Sequence, residues 1–261
     1  YEIGPEKMPP VQTGKSRMEK GFLTVKAGTM KTPGFTTCLC RTEVDGIVYS
    51  NYVNIGFSPD KLEPTTTLPK DFTEFWERAK AETALIPIAP LITLLPEQCT
   101  PETNVYHVRL QHYKKGTYLY GILCIPKKSG KYPAVLRVPG AGVKKQPAEM
   151  ALAEKGMITF AIGIHGIPQT LPDDLYPNLS KGVVDNYAFY HLDDKDCYYY
   201  RRVYTGCVRA LDFLCSLPEY DGENLGVIGG SQGGALAIVT AGLDTRVKAL
   251  VAFYPALCDL T

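Results

Sequence analysis

The pentapeptide Gly229-Gly230-Ser231-Gln232-Gly233 limits what this chain can fold into more than any other feature, because of what flanks it. The short apolar run Leu225–Ile228 precedes it, and Gln232–Gly242 follows with a helical pattern of small and apolar residues. A strand that turns into a helix through one serine must bend sharply. Glycines are needed around it because a Cβ there would collide with the joined backbones. As a string, G-x-S-x-G is only fair evidence. Between a strand and a helix it predicts a serine presented at the carboxyl edge of the sheet, where open α/β sheets bind ligands.

The surrounding pattern agrees. Tyr132–Val138 and Met157–Ile164 are short continuous apolar runs of the kind covered on both faces, with a helix expected between them over Gln146–Lys155. Tyr198–Leu217 reads as a long helix whose stripe Val203, Cys207, Ala210, Leu214 and Leu217 faces the core, and Val247–Tyr254 as a further strand. Strands alternating with helices give the expected fold class: α/β, an α/β-hydrolase-type doubly wound, mostly parallel sheet. Val105–His112 and Tyr118–Pro126 read as two joined strands, with His107 on the solvent face. Asp71 to Glu74 fits a capping box before a helix that runs to about Ala84.

The amino-terminal part reads differently. Phe35–Val44 and Ile47–Gly56 are rich in Thr, Val, Tyr and Ile, and Asp45-Gly46 between them suits a tight hairpin turn; Gly21–Met30 is expected as another strand. So few strands bury little by themselves. The expected organisation is a partial β-sandwich, immunoglobulin-like, over 1–56, a proline-marked linker over 57–70, and an α/β-hydrolase domain over 71–261 that lacks its last strands.

If Ser231 is a nucleophile, it sits at the start of a helix whose dipole and free N–H groups favour negative charge. The backbone N–H of Gln232 is then one oxyanion donor, and Gly140 or Ala141, in the loop after the 132–138 strand, the second. A serine hydrolase also needs a histidine base and a carboxylate, in this fold after the serine. Here the four histidines, His107, His112, His165 and His191, all precede Ser231, and only Asp244 and Asp259 follow it. With Tyr1 rather than Met at the start, this leads to the expectation of a chain truncated at both ends and inactive alone. His165 follows the 157–164 strand and is the candidate for shaping the substrate pocket, with a lesser claim as base; His191 has a weaker one.

Composition excludes several other classes. The formal net charge is +1, with 28 basic and 27 acidic residues and no long block of one sign, which argues against a nucleic-acid partner. No apolar run is long enough to span a membrane. Cys38 and Cys40 fit neither a redox nor a zinc spacing, and Cys124 and Cys207 lie in apolar surroundings, so no metal is expected. A phosphate-binding reading of the glycines fails because neither G-x-G-x-x-G nor a P-loop lysine can be laid on them.

Four segments carry a family resemblance: Asp71-Phe72-Thr73-Glu74-Phe75-Trp76, Tyr198-Tyr199-Tyr200-Arg201-Arg202-Val203, Gly229-Gly230-Ser231-Gln232-Gly233-Gly234, and Pro255-Ala256-Leu257-Cys258-Asp259. In these, residues 71–261 resemble the acetyl xylan esterase and cephalosporin C deacetylase family of carbohydrate esterases. The resemblance implies a cofactor-free serine esterase acting on acetylated sugar or oligosaccharide. Ser231 matches the family's nucleophile and Gln232 its oxyanion donor, with the Asp and His expected beyond Thr261. Two departures bear on the substrate: His165-Gly166-Ile167-Pro168 stands where the family usually has Arg-Gly-Gln-Gly, and the family's oxyanion loop commonly offers a Tyr N–H, whereas this chain has Gly140 nearby. The alternatives are a serine peptidase of the prolyl-oligopeptidase type and a catalytically incomplete fragment or binding module. A homo-oligomer is left open.

Overall fold

The computed structural model describes residues 1–257 and divides them into two compact units, one ending at Thr67 and one starting at Leu68. The first unit is a four-stranded antiparallel sheet in the order β2-β1-β3-β4. Its strands are β1 (Glu2–Pro5), β2 (Gln12–Thr13), β3 (Gly34–Val44) and β4 (Ile47–Phe57). The β3–β4 hairpin closes with Val44 opposite Ile47, and the two residues between, Asp45 and Gly46, have φ of 51° and 77°. Both are left-handed, as a two-residue turn matched to the strand twist requires.

The strand expected over Gly21–Met30 does not form; the only pairing there is a single bridge between Glu19 and Phe22. Gly21 and Gly28 both take positive φ, which breaks the extended run, and Phe22 remains exposed. The second partner of β3 comes instead from β1, where Ile3 is buried, and β2 pairs in turn with β1.

The second unit is built on a seven-stranded sheet in the order β11-β10-β8-β9-β7-β6-β5. In chain order its elements are α1 (Phe72–Ala84), β5 (Leu91–Leu94), β6 (Thr103–Gln111), β7 (Tyr118–Pro126), β8 (Tyr132–Arg137), α2 (Met150–Ala153) and β9 (Ile158–Gly163). α3 (Leu175–Ser180), α4 (Tyr199–Ser216), β10 (Tyr220–Gly230), α5 (Gln232–Leu243) and β11 (Val247–Phe253) follow. The strands β9, β8, β10 and β11 are mutually parallel. β5, β6 and β7 join them through antiparallel pairs. The antiparallel share is thus larger than in the expected mostly parallel sheet, and β5, an edge strand of only four residues, is an addition to the expected elements.

Helices cover both faces. On one face Val203, Cys207, Ala210, Leu211 and Leu214 of α4 pack with Leu136, Phe160, Val227 and Leu236, all buried. The expected stripe is therefore the core contact, and burying each leucine contributes roughly 2 kcal/mol. On the other face Ala153 of α2 packs against Val105, Ile122 and Cys124.

Three local expectations are corrected. α2 covers only four residues and begins after Pro147, which has no N–H to give to a helical hydrogen bond. Gln146 is used instead in a loop contact, its N–H donating to Gln169 Oε1 at 2.8 Å. Asp71 caps α1 without a side-chain hydrogen bond, since its carboxylate is paired with Lys195. His107 is covered rather than solvent-facing: its ring stacks on Tyr120, and its Nε2 accepts the N–H of Gln169 at 3.1 Å. No helix among the described residues is long and apolar enough to cross a membrane.

Candidate active site

β10 ends at Gly230 and α5 begins at Gln232, leaving Ser231 alone on the bend with φ 56° and ψ −124°. Such a conformation costs a non-glycine residue on the order of 1–3 kcal/mol and survives only where neighbours over-determine it. Here they do. The Ser231 N–H donates to Phe253 O at 3.0 Å, and its carbonyl accepts from Gly234 N–H at 2.9 Å and Ala256 N–H at 3.0 Å. The flanking glycines have steric reasons. A Cβ on Gly229 would collide with the carbonyl of Gly233, and one on Gly233 would stand 2.6 Å from Val138 O. One on Gly234 would stand 2.8 Å from Phe253 O. The bend leaves Ser231 half-buried, at the amino terminus of α5, where the first helical N–H groups have no partner within the helix.

The loop after β8 lies against this bend. Gln232 is 3% exposed and its side-chain amide is satisfied on both sides. Its Oε1 accepts from the hydroxyls of Tyr187 at 2.5 Å and Tyr200 at 2.6 Å. Its Nε2 donates to Pro139 O and Gly140 O, each at 3.3 Å. Tyr187 Oη also accepts the Gly142 N–H at 3.2 Å. The amide orientation is unambiguous, because a flip would set Oε1 against two carbonyl oxygens.

His165 holds the far side of the same loop. Its Nε2 is 3.3 Å from Gly142 O and its Nδ1 2.6 Å from Tyr199 Oη. A carbonyl only accepts, so Nε2 carries the proton and Nδ1 accepts a hydrogen bond from the Tyr199 hydroxyl. Burial, with a smaller push from the charge of Arg202, lowers its pKa to about 4, while the Gly142 contact works the other way. His165 is therefore neutral at pH 7. Both of its ring nitrogens are engaged.

Of the sequence-predicted residues, Ser231, Gln232, Gly140, Ala141 and His165 come together around one loop and one bend. Ala141 is exposed and Gly140 half-buried. His112 is elsewhere, with Nε2 donating to Arg202 O at 2.8 Å from a buried position under α4. His191 lines a separate open cleft of about 390 Å3 with Tyr113, Lys114, Tyr190 and Arg202. Asp244 terminates α5 and binds Arg246, a helix length of roughly 18 Å from Ser231. Cys258 and Asp259 lie outside the described residues. Among the described residues no hydrogen bond joins Ser231 to a histidine, and the seven cysteines are free.

Sequence reasoning missed the roles of Tyr187 and Tyr200 and of the Gln232 side chain. Tyr200 sits in the recognised Tyr-Tyr-Tyr-Arg-Arg run, but nothing in that string says that its hydroxyl reaches α5. Tyr187 lies in a loop without periodicity and carried no signal.

A serine on a strained strand-to-helix bend, at the carboxyl edge of a sheet with helices on both faces, defines an α/β-hydrolase-type protein. The family described as acetyl xylan esterase (AXE1) matches residues 60–261, and the chain belongs to that family. It is 42% identical over 265 residues to the acetyl esterase Axe7A of Xylanibacter ruminicola, covering all of this chain and 60% of that protein. The first 59 residues, outside the family match, therefore have a counterpart in that relative. Among solved structures, an acetyl xylan esterase from Paenibacillus sp. R4 is 33% identical with a TM-score of 0.65, over 75% of this chain and 63% of that one. Acetyl xylan esterase 1 from a Thermoanaerobacterium species shares the fold at 24% identity and the same TM-score, over 75% of this chain and 62% of that one. The chain thus spans about three fifths of the length of the proteins it matches.

Proposed function

We propose that this chain supplies the nucleophile and oxyanion site of a serine esterase that removes acetyl groups from acetylated carbohydrate. The observation that carries the reading is Ser231 itself, held half-buried in a left-handed conformation at the amino terminus of α5. In this reading Ser231 Oγ attacks the acetyl carbonyl, the sugar hydroxyl leaves, and water releases acetate from the acetyl-enzyme. The Gln232 N–H and an N–H of Gly140 or Ala141 stabilise the negative oxygen that develops. The Gly142 N–H is spent on Tyr187, so it is not a donor.

Deprotonation of the serine needs a base. His165 has both nitrogens engaged, Nε2 on the loop and Nδ1 on Tyr199, and we place the base and its carboxylate in the part of such a protein that this chain does not span. Family membership and the Axe7A likeness support acetyl ester chemistry and an acetylated sugar as substrate.

The test is acetate release from acetylated xylo-oligosaccharide by the natural-length protein and by its Ser231→Ala form. Substitution is expected to cost about 10⁴-fold or more in kcat. A fluorophosphonate should label the unaltered protein at Ser231. Undiminished acetate release by Ser231→Ala would refute the assignment.

A further inference from the structure

We propose that Tyr187 is a positioning residue for this reaction, its hydroxyl fixing the direction of the amides that face the developing oxyanion. The inference rests on the reading of Ser231 just given. The loop needs such a device because Gly140 and Gly142 give it little stiffness of its own, Gly142 standing at φ 98°. Donors that have to reorganise during the reaction lose most of their value.

Four consecutive peptide groups of the loop are each held by one or more side chains. The carbonyls of Pro139 and Gly140 accept from Gln232 Nε2, the N–H of Gly142 donates to Tyr187 Oη, and the Gly142 carbonyl accepts from His165 Nε2. A trans peptide is planar, with its C=O and N–H pointing in opposite directions. Holding the Pro139 and Gly140 carbonyls toward Gln232 therefore turns the N–H groups of Gly140 and Ala141 away from it. Those are the two donors proposed for the oxyanion.

Tyr187 acts on this arrangement twice. It orients the peptide between Ala141 and Gly142 directly, and it shares with Tyr200 the anchoring of the Gln232 amide that orients the other two. Tyr200 touches Gln232 but has no bond to the loop. The Tyr187 ring is itself fixed by aromatic contacts, its centroid 4.6 Å from that of His165 and 5.1 Å from that of Tyr199. Those contacts survive loss of the hydroxyl, so phenylalanine removes the hydrogen bonds and leaves the packing.

The experiment compares Tyr187→Phe and Tyr200→Phe in the natural-length protein, following acetyl ester hydrolysis and thermal melting. For Tyr187→Phe, kcat should fall at least tenfold with KM within twofold. For Tyr200→Phe the fall should be under threefold, although both variants lose a buried hydroxyl. Equal kcat losses in the two variants, or a Tyr187→Phe loss carried by KM, would overturn the inference while leaving Ser231 as nucleophile. An unaltered protein with no esterase activity and no labelling of Ser231 would overturn the functional reading and the inference with it. If Tyr187→Phe does not fold, hydrogen exchange of the unaltered protein decides: slow exchange at the Gly142 amide supports the inference, and exchange at the rate of an exposed loop refutes it.

Discussion

Acid should destabilise the second unit well before its carboxylates are protonated, and His112 gives the reason. The residue is 2% exposed, and burial together with the charges of Arg202 and Arg209 lowers its pKa from 6.5 to about 3. Its Nε2–H is committed to the carbonyl of Arg202, and Gly206 of α4 packs so close that an added Cβ would stand 2.5 Å from Nε2. The ring is therefore held neutral in the fold. An unfolded chain takes up this proton from pH 6.5 downward, whereas the folded one refuses it until about 3, so stability is full above 6.5 and is lost as pH falls. At about 1.4 kcal/mol per pH unit, His112 alone costs roughly 2 kcal/mol between pH 6.5 and 5.

His165, lowered to about 4 by burial first, adds a loss of the same sign and similar order over that interval. The sum of roughly 4 kcal/mol is a large part of the stability of an ordinary domain. Urea denaturation at half-unit pH steps from 7 to 5 should show the midpoint falling throughout. Histidine NMR should show the His112 ring still neutral at pH 5. A flat stability profile down to pH 5, or a His112 ring titrating near 6.5, would refute the reasoning.

Other consequences can be checked as directly. In Gly233→Ala the new methyl meets Val138 O at 2.6 Å and Pro139 C at 3.0 Å, backbone on both counts. Destabilisation of about 1–3 kcal/mol is expected, and the loss of esterase kcat should be larger than melting alone accounts for, because the displaced atoms lead into the oxyanion loop. Phe160→Ala removes a fully buried ring that meets Phe213 edge-on at 5.3 Å; denaturant titration should show about 3–5 kcal/mol lost. Brief iodoacetamide treatment of the native protein, read by mass spectrometry, should modify the exposed Cys40 and spare Cys207, which is buried and whose thiol pKa burial raises to about 12.

Much of the fold could be read from sequence because its signals are local. The apolar runs, the α4 stripe and the glycine spacing around Ser231 each follow from the immediate geometry of a strand, a helix or a bend, and β8, β9, α4, α5 and β11 lie within a residue or two of where they were expected. The same locality explains the failures. An Asp-x-x-Glu string predicts a cap, but Lys195, far along the chain, takes the Asp71 carboxylate. His107 alternates as a surface residue until the loop at Gln169 folds over it.

The sequence by itself determined that a serine would stand on a bend between strand and helix, since an apolar strand run, close-set glycines and a helical pattern follow one another directly. Only the tertiary structure decided how the neighbouring loop is held. A side chain's hydrogen-bond partner depends on distance in space, and the hydroxyls of Tyr187 and Tyr200, 45 and 32 residues before Gln232, reach it only after the whole sheet has wound.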